Sequence, residues 1–190
     1  WTDYNKLDEK LCKTPCNAVA LVDISDLLRD VDTLAVEPIT KRFVHRFPED
    51  TLEAIRGKQL DVLLRFGFNI LRGDILSSAR YGVWSFHHGD NEYYRGGPAH
   101  FWEMYEHNHL SGAVLQVLTE ELDAGSILIK GVFGTEPGLS LIRNRMRPYW
   151  GSAHFVIQKL WELHTFGWPY VTGRTSASTN YSGKRKIYRT

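Results

Sequence analysis

The chain has 190 residues, 43% of them hydrophobic and 24% charged, with a formal net charge of +1. That is enough apolar material for one domain without disulfides, and too balanced a charge for a disordered segment or a polyanion binder. No apolar run approaches the roughly 20 residues of a membrane span and no leader opens the chain, so a cytoplasmic protein is expected, with no membrane partner and no clear nucleic-acid footprint. The two cysteines, Cys12 and Cys16, supply at most half of a metal site. The start at Trp1 and the basic close from Lys184 to Thr190 read as a piece of a longer protein.

In chain order, Asn17 to Val22 is a short apolar run suited to a strand, and Ser25 to Val31 reads as helical. Pro48 opens a helix with Leu52 and Ile55 on one face, closed by Gly57. The run Leu60 to Phe66, bounded by Gly67, has the pattern of a parallel strand buried on both faces, with Gly67 to Leu71 as its exit loop. A helix over Gly73 to Ala79 and a strand over Gly82 to Phe86 continue the alternation, so an α/β fold follows, with a Rossmann-like, mixed but mostly parallel sheet flanked by helices. Ligands belong at the strand ends of such a sheet.

A polar, glycine-rich passage from His87 to Pro98 comes next. Pro98 is read as a helix start with Phe101, Met104 and Tyr105 sharing a face, and Ser111-Gly112 as the break before a strand over Ala113 to Leu118. The loop Glu120 to Gly125 then leads to Ser126 to Ile129, an antiparallel neighbour because the connection is short. Leu139 to Arg147 and Ala153 to Leu163 read as helices on the sheet. The domain reading is a weakly patterned segment 1–46 packing on the core, a core over 47–171, and an exposed tail over 172–190, where Thr, Ser, Asn and Gly take over.

Several short motifs stand in register: Gly67-Phe68-Asn69-Ile70-Leu71, then Ser85-Phe86-His87, Arg95-Gly96-Gly97-Pro98, and Leu122-Asp123-Ala124-Gly125-Ser126-Ile127-Leu128. Together, over about Phe47 to Phe133, they resemble the catalytic domain of the folate-dependent formyltransferases, the family of glycinamide ribonucleotide, methionyl-tRNA and amino-sugar formyltransferases and of formyltetrahydrofolate deformylase. The resemblance implies 10-formyltetrahydrofolate as formyl donor and His87 with Asp123 as catalytic residues. A histidine works near neutral pH, and a carboxylate beside it orients the ring and stabilises its cation. The resemblance also puts Ser85 where the family has an asparagine that donates to the formyl oxygen. It gives the pterin edge to the backbone of Asn69, Ile70, Leu71, Glu120, Glu121 and Leu122. Tyr93, Tyr94 and Arg95 could meet a substrate phosphate or sugar, with Tyr94 and Arg95 the leading pair and a packed turn as an equal reading.

The implied function is transfer of a formyl group to the amine of a small acceptor, with a nucleotide-linked amino sugar as the leading choice, and a homodimer is compatible with it. Hydrolysis of the same folate and a non-catalytic folate-binding domain are the alternatives. No metal is expected. The five histidines His87, His88, His100, His107 and His109 with Asp90 admit a metal reading, but solvated surface histidines are the favoured account. Arg143, Arg145 and Arg147 read as a solvated helix edge before a phosphate cluster.

Overall fold

A computed structural model describes residues 2–14, 16–121, 125–138, 140–173 and 176–177. The first unit is α1 (Thr2–Leu11), followed after a long irregular stretch by β1 (Ile39–Lys41), β2 (Val44–Arg46), α2 (Glu49–Gly57), β3 (Leu63–Leu64) and β4 (Ile70–Leu71). A 3-10 turn over Asp74–Ser77 precedes β5 (Val83–His87), α3 (Phe101–Tyr105), β6 (Leu110–Val117) and β7 (Ser126–Gly134). Then follow α4 (Leu141–Ser152), α5 (Phe155–Phe166), α6 (Trp168–Thr172) and β8 (Ser176–Ala177).

The strands form a small sheet in the order β1-β2-β4 and a larger one in the order β3-β5-β6-β7-β8. The mixed sheet with helices around it is the expected α/β architecture. Its balance differs from the expectation of mostly parallel pairing, because in the larger sheet only β3 and β5 run parallel while β5/β6, β6/β7 and β7/β8 are antiparallel. Short connections such as the one between β6 and β7 can only return the chain antiparallel.

The alternation of β5 organises the interior. Val83 packs with Leu52, Leu71 and Ile75 in one cluster, whereas Trp84, the next residue and fully buried, packs with Leu115, Leu128, Phe155 and Val171 in another. Side chains two apart share a face of a strand. Val83, Ser85 and His87 therefore stand on one side of the sheet, and Trp84 and Phe86 on the other.

Several local expectations give way to the structure. Asn17 to Val22 forms no strand, and Ser25 to Val31 holds only turns such as Leu27 N to Ile24 O, with Leu21, Val22 and Leu27 exposed; its apolar residues find no surface that would stabilise regular structure. The run Leu60 to Phe66 is not buried on both faces. Leu60, Leu64 and Phe66 are exposed, because β3 has a single neighbour among the described strands and only two residues of it pair. Ile70–Leu71 is a strand rather than a plain exit loop, since it pairs in parallel with β2. Pro98 follows a cis peptide bond, and α3 begins at Phe101.

Gly112 does not break structure. It lies inside β6, where a Cβ would come within 2.8 Å of the Asp90 backbone. The glycine is what lets the turn after β5 lie directly on β6. At the other end, α1 docks on α4 through buried Asp8, whose Oδ2 accepts the Ile142 N–H at 3.0 Å in the first turn of that helix, where a carboxylate is favoured. Among the described residues no helix is long and apolar enough to cross a membrane. Of the expected tail, residues 174–175 and 178–190 lie outside the described residues, and Ser176–Ala177 pairs with β7.

Candidate functional site

A cavity of about 590 Å³ opens on the Ser85/His87 face of β5. Ser85 and His87 form its floor. Asn69, Ile70 and Leu71 stand on one wall, Gln116, Leu118, Thr119 and Glu121 on another, and Gly96 and Gly97 at an end. The sequence-predicted Ser85, His87, Asn69, Ile70, Leu71 and Glu121 are thus brought together around one space. Leu122 and Asp123 lie outside the described residues, so the pairing of His87 with Asp123 is not described.

His87 is held by the turn that follows it. Its Nε2 lies 2.9 Å from the Tyr94 carbonyl, and a carbonyl can only accept, so Nε2 carries a proton and donates; in the neutral ring Nδ1 is then the basic nitrogen. The turn passes so close that a Cβ on Gly89 would meet His87 Nε2 at 3.0 Å and Tyr94 O at 3.3 Å. The turn is braced from outside: Lys130 Nζ donates to Asp90 Oδ1 at 2.8 Å and Glu92 Oε2 at 3.3 Å. Arg95, 6% exposed, turns inward and donates from Nε to Asn91 O at 2.8 Å. The Tyr94 hydroxyl accepts from Asn108 Nδ2 at 3.1 Å. Neither Tyr94 nor Arg95 lines the cavity, and both hold the shape of the turn.

Glu120 has a comparable bracing place. Its carboxylate accepts the Gly73 N–H at 2.6 Å and lies 3.3 Å from Arg72 Nη1, tying the β6–β7 loop to the segment after β4. On the opposite wall Ile70 N donates to Phe43 O and Arg72 N to His45 O. Alternate residues of a strand offer their peptides to opposite sides, so the Leu71 peptide faces away from β2.

Sequence reasoning missed two residues. Arg65, directly after β3, lines the cavity and donates from Nη1 to Ser85 Oγ at 3.0 Å. Gln116 is the cross-strand partner of Ser85 and 2% exposed, and its Oε1 is buried with no hydrogen-bond partner among the described residues. Arg65, Ser85 and Gln116 form a polar row across three adjacent strands. The signal that could have found them is their polarity inside otherwise apolar strand runs, Leu-Leu-Arg-Phe and Val-Leu-Gln-Val, since a buried polar side chain is the informative exception.

On the far side of the same strand the next histidine is closed in. His88 stacks on Phe86 with ring centroids 5.6 Å apart and an interplanar angle of 4°, and lies 4.2 Å from the Tyr149 ring. Burial above all, then the charges of His100, His87 and Arg145, lowers its pKa to about 3. Burial likewise raises the Tyr149 phenol. Behind it His100, 1% exposed, has Nδ1 3.0 Å from Ser111 Oγ, and the His100 carbonyl accepts from Asn144 Nδ2 at 2.7 Å. His100 is buried and His88 half-buried against aromatic rings, rather than the solvated surface histidines expected from sequence.

The fold is that of the folate-dependent formyltransferases, as solved structures show. HypX from Aquifex aeolicus in complex with tetrahydrofolic acid matches with a TM-score of 0.55 and 18% identity, over 73% of this chain and 23% of its own. A candidate sugar N-formyltransferase from Mycobacterium tuberculosis matches with a TM-score of 0.55 and 17% identity, over 73% of this chain and 56% of its own. A formyltetrahydrofolate deformylase from Pseudomonas syringae pv. tomato matches with a TM-score of 0.50 and 22% identity, over 61% and 39%. The chain therefore spans less than two thirds of each. No protein-family model and no curated protein matches it.

Proposed function

We propose that this chain carries a 10-formyltetrahydrofolate-dependent formyltransferase site that passes the formyl group to the amine of a small acceptor, with a nucleotide-linked amino sugar as the leading acceptor. The observation that carries the reading is the placement of Ser85 and His87 on one face of β5 at the floor of a single cavity whose wall is Asn69–Leu71. The family resemblance of those same residues, the tetrahydrofolic acid in the HypX complex and the sugar N-formyltransferase likeness support it. The catalytic unit is residues 47–171 in this reading, with segment 1–46 packed on it through α1 and β2, residues 172–190 beyond it, and a cytoplasmic setting.

The residues present fit the donor. A cavity of about 590 Å³ is of a size that small cofactors fill. Apolar Phe43, Ile70, Leu71 and Leu118 offer flat-ring contacts, and Gln116 Oε1, without a hydrogen-bond partner among the described residues, suits an N–H of a heterocycle. When bound, the folate supplies an activated formyl carbon. The amine nitrogen forms a bond to that carbon and the C=O electron pair moves onto oxygen; collapse then breaks the bond to the folate nitrogen, which receives a proton lost by the amine. The chain's part is to hold the developing oxyanion and to move that proton. Ser85 donates toward the oxygen, His87 relays the proton through Nδ1 with its ring set by Tyr94, and Asp123 is the proposed charge that stabilises the imidazolium. Tyr94 and Arg95 shape the turn over the acceptor side.

The test is to incubate the purified chain with 10-formyltetrahydrofolate, with and without a panel of amino-sugar nucleotides, and to follow tetrahydrofolate and formate. Tetrahydrofolate with a formylated sugar is the expected result. Formate without a formylated product would move the reading to hydrolysis, and a folded sample that binds no folate would end it.

A further inference from the structure

Arg65 continues the parallel pairing of β3 with β5, its N–H donating to Trp84 O at 2.9 Å. Its guanidinium is gripped from several sides. Nε donates to Asn69 O at 3.2 Å, Nη2 to Phe68 O, and Nη1 to Ser85 Oγ at 3.0 Å. A planar fork tied at these points is a fixed positive charge, not a swinging one. It stands beside the Ser85 hydroxyl on the cavity floor.

That contact changes what Ser85 can do. A lone serine hydroxyl rotates and is a poorly organised substitute for a carboxamide donor. Here the oxygen accepts from a cation, which pins its position and strengthens its O–H as a donor, because successive hydrogen bonds polarise one another. The Ser85 hydroxyl lies 3.2 Å from Phe86 O, a long contact for an O–H donor, which a nearer acceptor in the cavity can replace.

We propose that Arg65 is a positioning residue for formyl transfer: its guanidinium fixes and polarises the Ser85 hydroxyl, which donates to the formyl oxygen as negative charge develops there. The inference rests on the formyl-folate reading of the cavity. It also accounts for serine at this place. Ser85 is 2% exposed with the guanidinium 3.0 Å away, so an asparagine alone would be driven into Arg65. The sequence by itself leads one to expect Ser85→Asn to preserve or raise transfer; the Arg65–Ser85 pair reverses that expectation.

The experiment is a double-mutant cycle in the full chain with Arg65→Met, Ser85→Asn and the double variant, plus Arg65→Lys. Rates with 10-formyltetrahydrofolate and acceptor, affinity for folinic acid and thermal melting are read for each. Arg65→Met is expected to lower kcat by about 10²-fold, the usual loss of an oxyanion donor, and to leave folinic acid affinity within a few-fold. Arg65→Lys keeps charge without the fork and should recover only part. Ser85→Asn alone loses activity, while the double variant exceeds both singles, because the carboxamide brings its own N–H and the thioether chain makes room.

If Arg65 merely supports the Phe68–Asn69 loop, Arg65→Met instead weakens folinic acid binding or melting with kcat unchanged, and the proposal fails. Independent, multiplying effects of the two substitutions overturn it equally. A folded wild-type chain that neither binds folinic acid nor converts the donor removes the reading of the cavity, and the Arg65 proposal with it; wild-type turnover with an unimpaired Arg65→Met kcat removes the Arg65 proposal alone.

Discussion

The two faces of β5 bury different things, and adjacent histidines show the difference most sharply. His87 stands on the floor of an open cavity, with one nitrogen committed to Tyr94 O. His88 lies between Phe86 and Tyr149 and has a pKa of about 3. Both come from one His-His dipeptide, so composition does not separate them; the two-residue period of the strand does. A residue type acquires its surroundings here from which side of a sheet it falls on: one imidazole lines a cavity, and burial lowers the pKa of the other.

The contrast is broken most directly at His87. His87→Ala should lower formyl transfer by about 10³-fold, within the usual range for a general acid–base group, while the melting temperature stays close to that of the wild type; steady-state rates beside a thermal melt check it. The opposite face should respond in stability. Trp84→Ala, emptying a fully buried ring from the Leu115/Phe155 cluster, is expected to cost about 3–5 kcal/mol in urea unfolding.

His88 sharpens the comparison through pH. In the folded chain burial lowers the pKa of the ring to about 3 from its ordinary 6.5. Below the upper value the unfolded chain binds a proton that the folded chain refuses, so stability is unaffected above neutrality, falls as pH drops through 6.5, and levels off near the folded value. At pH 5 the loss from this group is about 2 kcal/mol. His88→Phe should remove about that much of the difference between urea unfolding at pH 7 and at pH 5, with transfer activity kept; an unchanged difference would mean the ring is not shielded. The smallest effect is expected from Gly89→Ala. Its Cβ meets His87 Nε2 at 3.0 Å and Tyr94 O at 3.3 Å, so the turn must give by a few tenths of an ångström, and a several-fold loss of kcat with little loss of stability should follow.

What the sequence made legible follows from local rules. The strand around Ser85 and His87, the glycine-rich turn after it and the antiparallel return through Ser126 to Ile129 are set by short-range alternation and short connections, and they appear where expected. Asn69–Leu71 and Glu121, singled out in the sequence, line the cavity beside Ser85 and His87.

The parts that did not show through depend on long-range contacts. α1 has exposed Leu7 and Leu11 and docks by Asp8 on a peptide 134 residues away, which no periodicity reveals. Arg65 is hidden in an apolar strand and acquires meaning only when β3 lies beside Ser85. Gly112 looked like a break because the Asp90 backbone that requires a glycine there comes from a different segment. Arg95 lies in a turn motif whose inward course, with Nε donating to Asn91 O, shows only in three dimensions.

The most direct test of the account is a side-by-side assay of wild type, His87→Ala and His88→Phe for folinic acid binding and for single-turnover conversion of 10-formyltetrahydrofolate with acceptor. The account predicts that all three bind, and that wild type and His88→Phe convert while His87→Ala does not. Conversion by His87→Ala at the wild-type rate, or a folded wild type that neither binds nor converts, would contradict it.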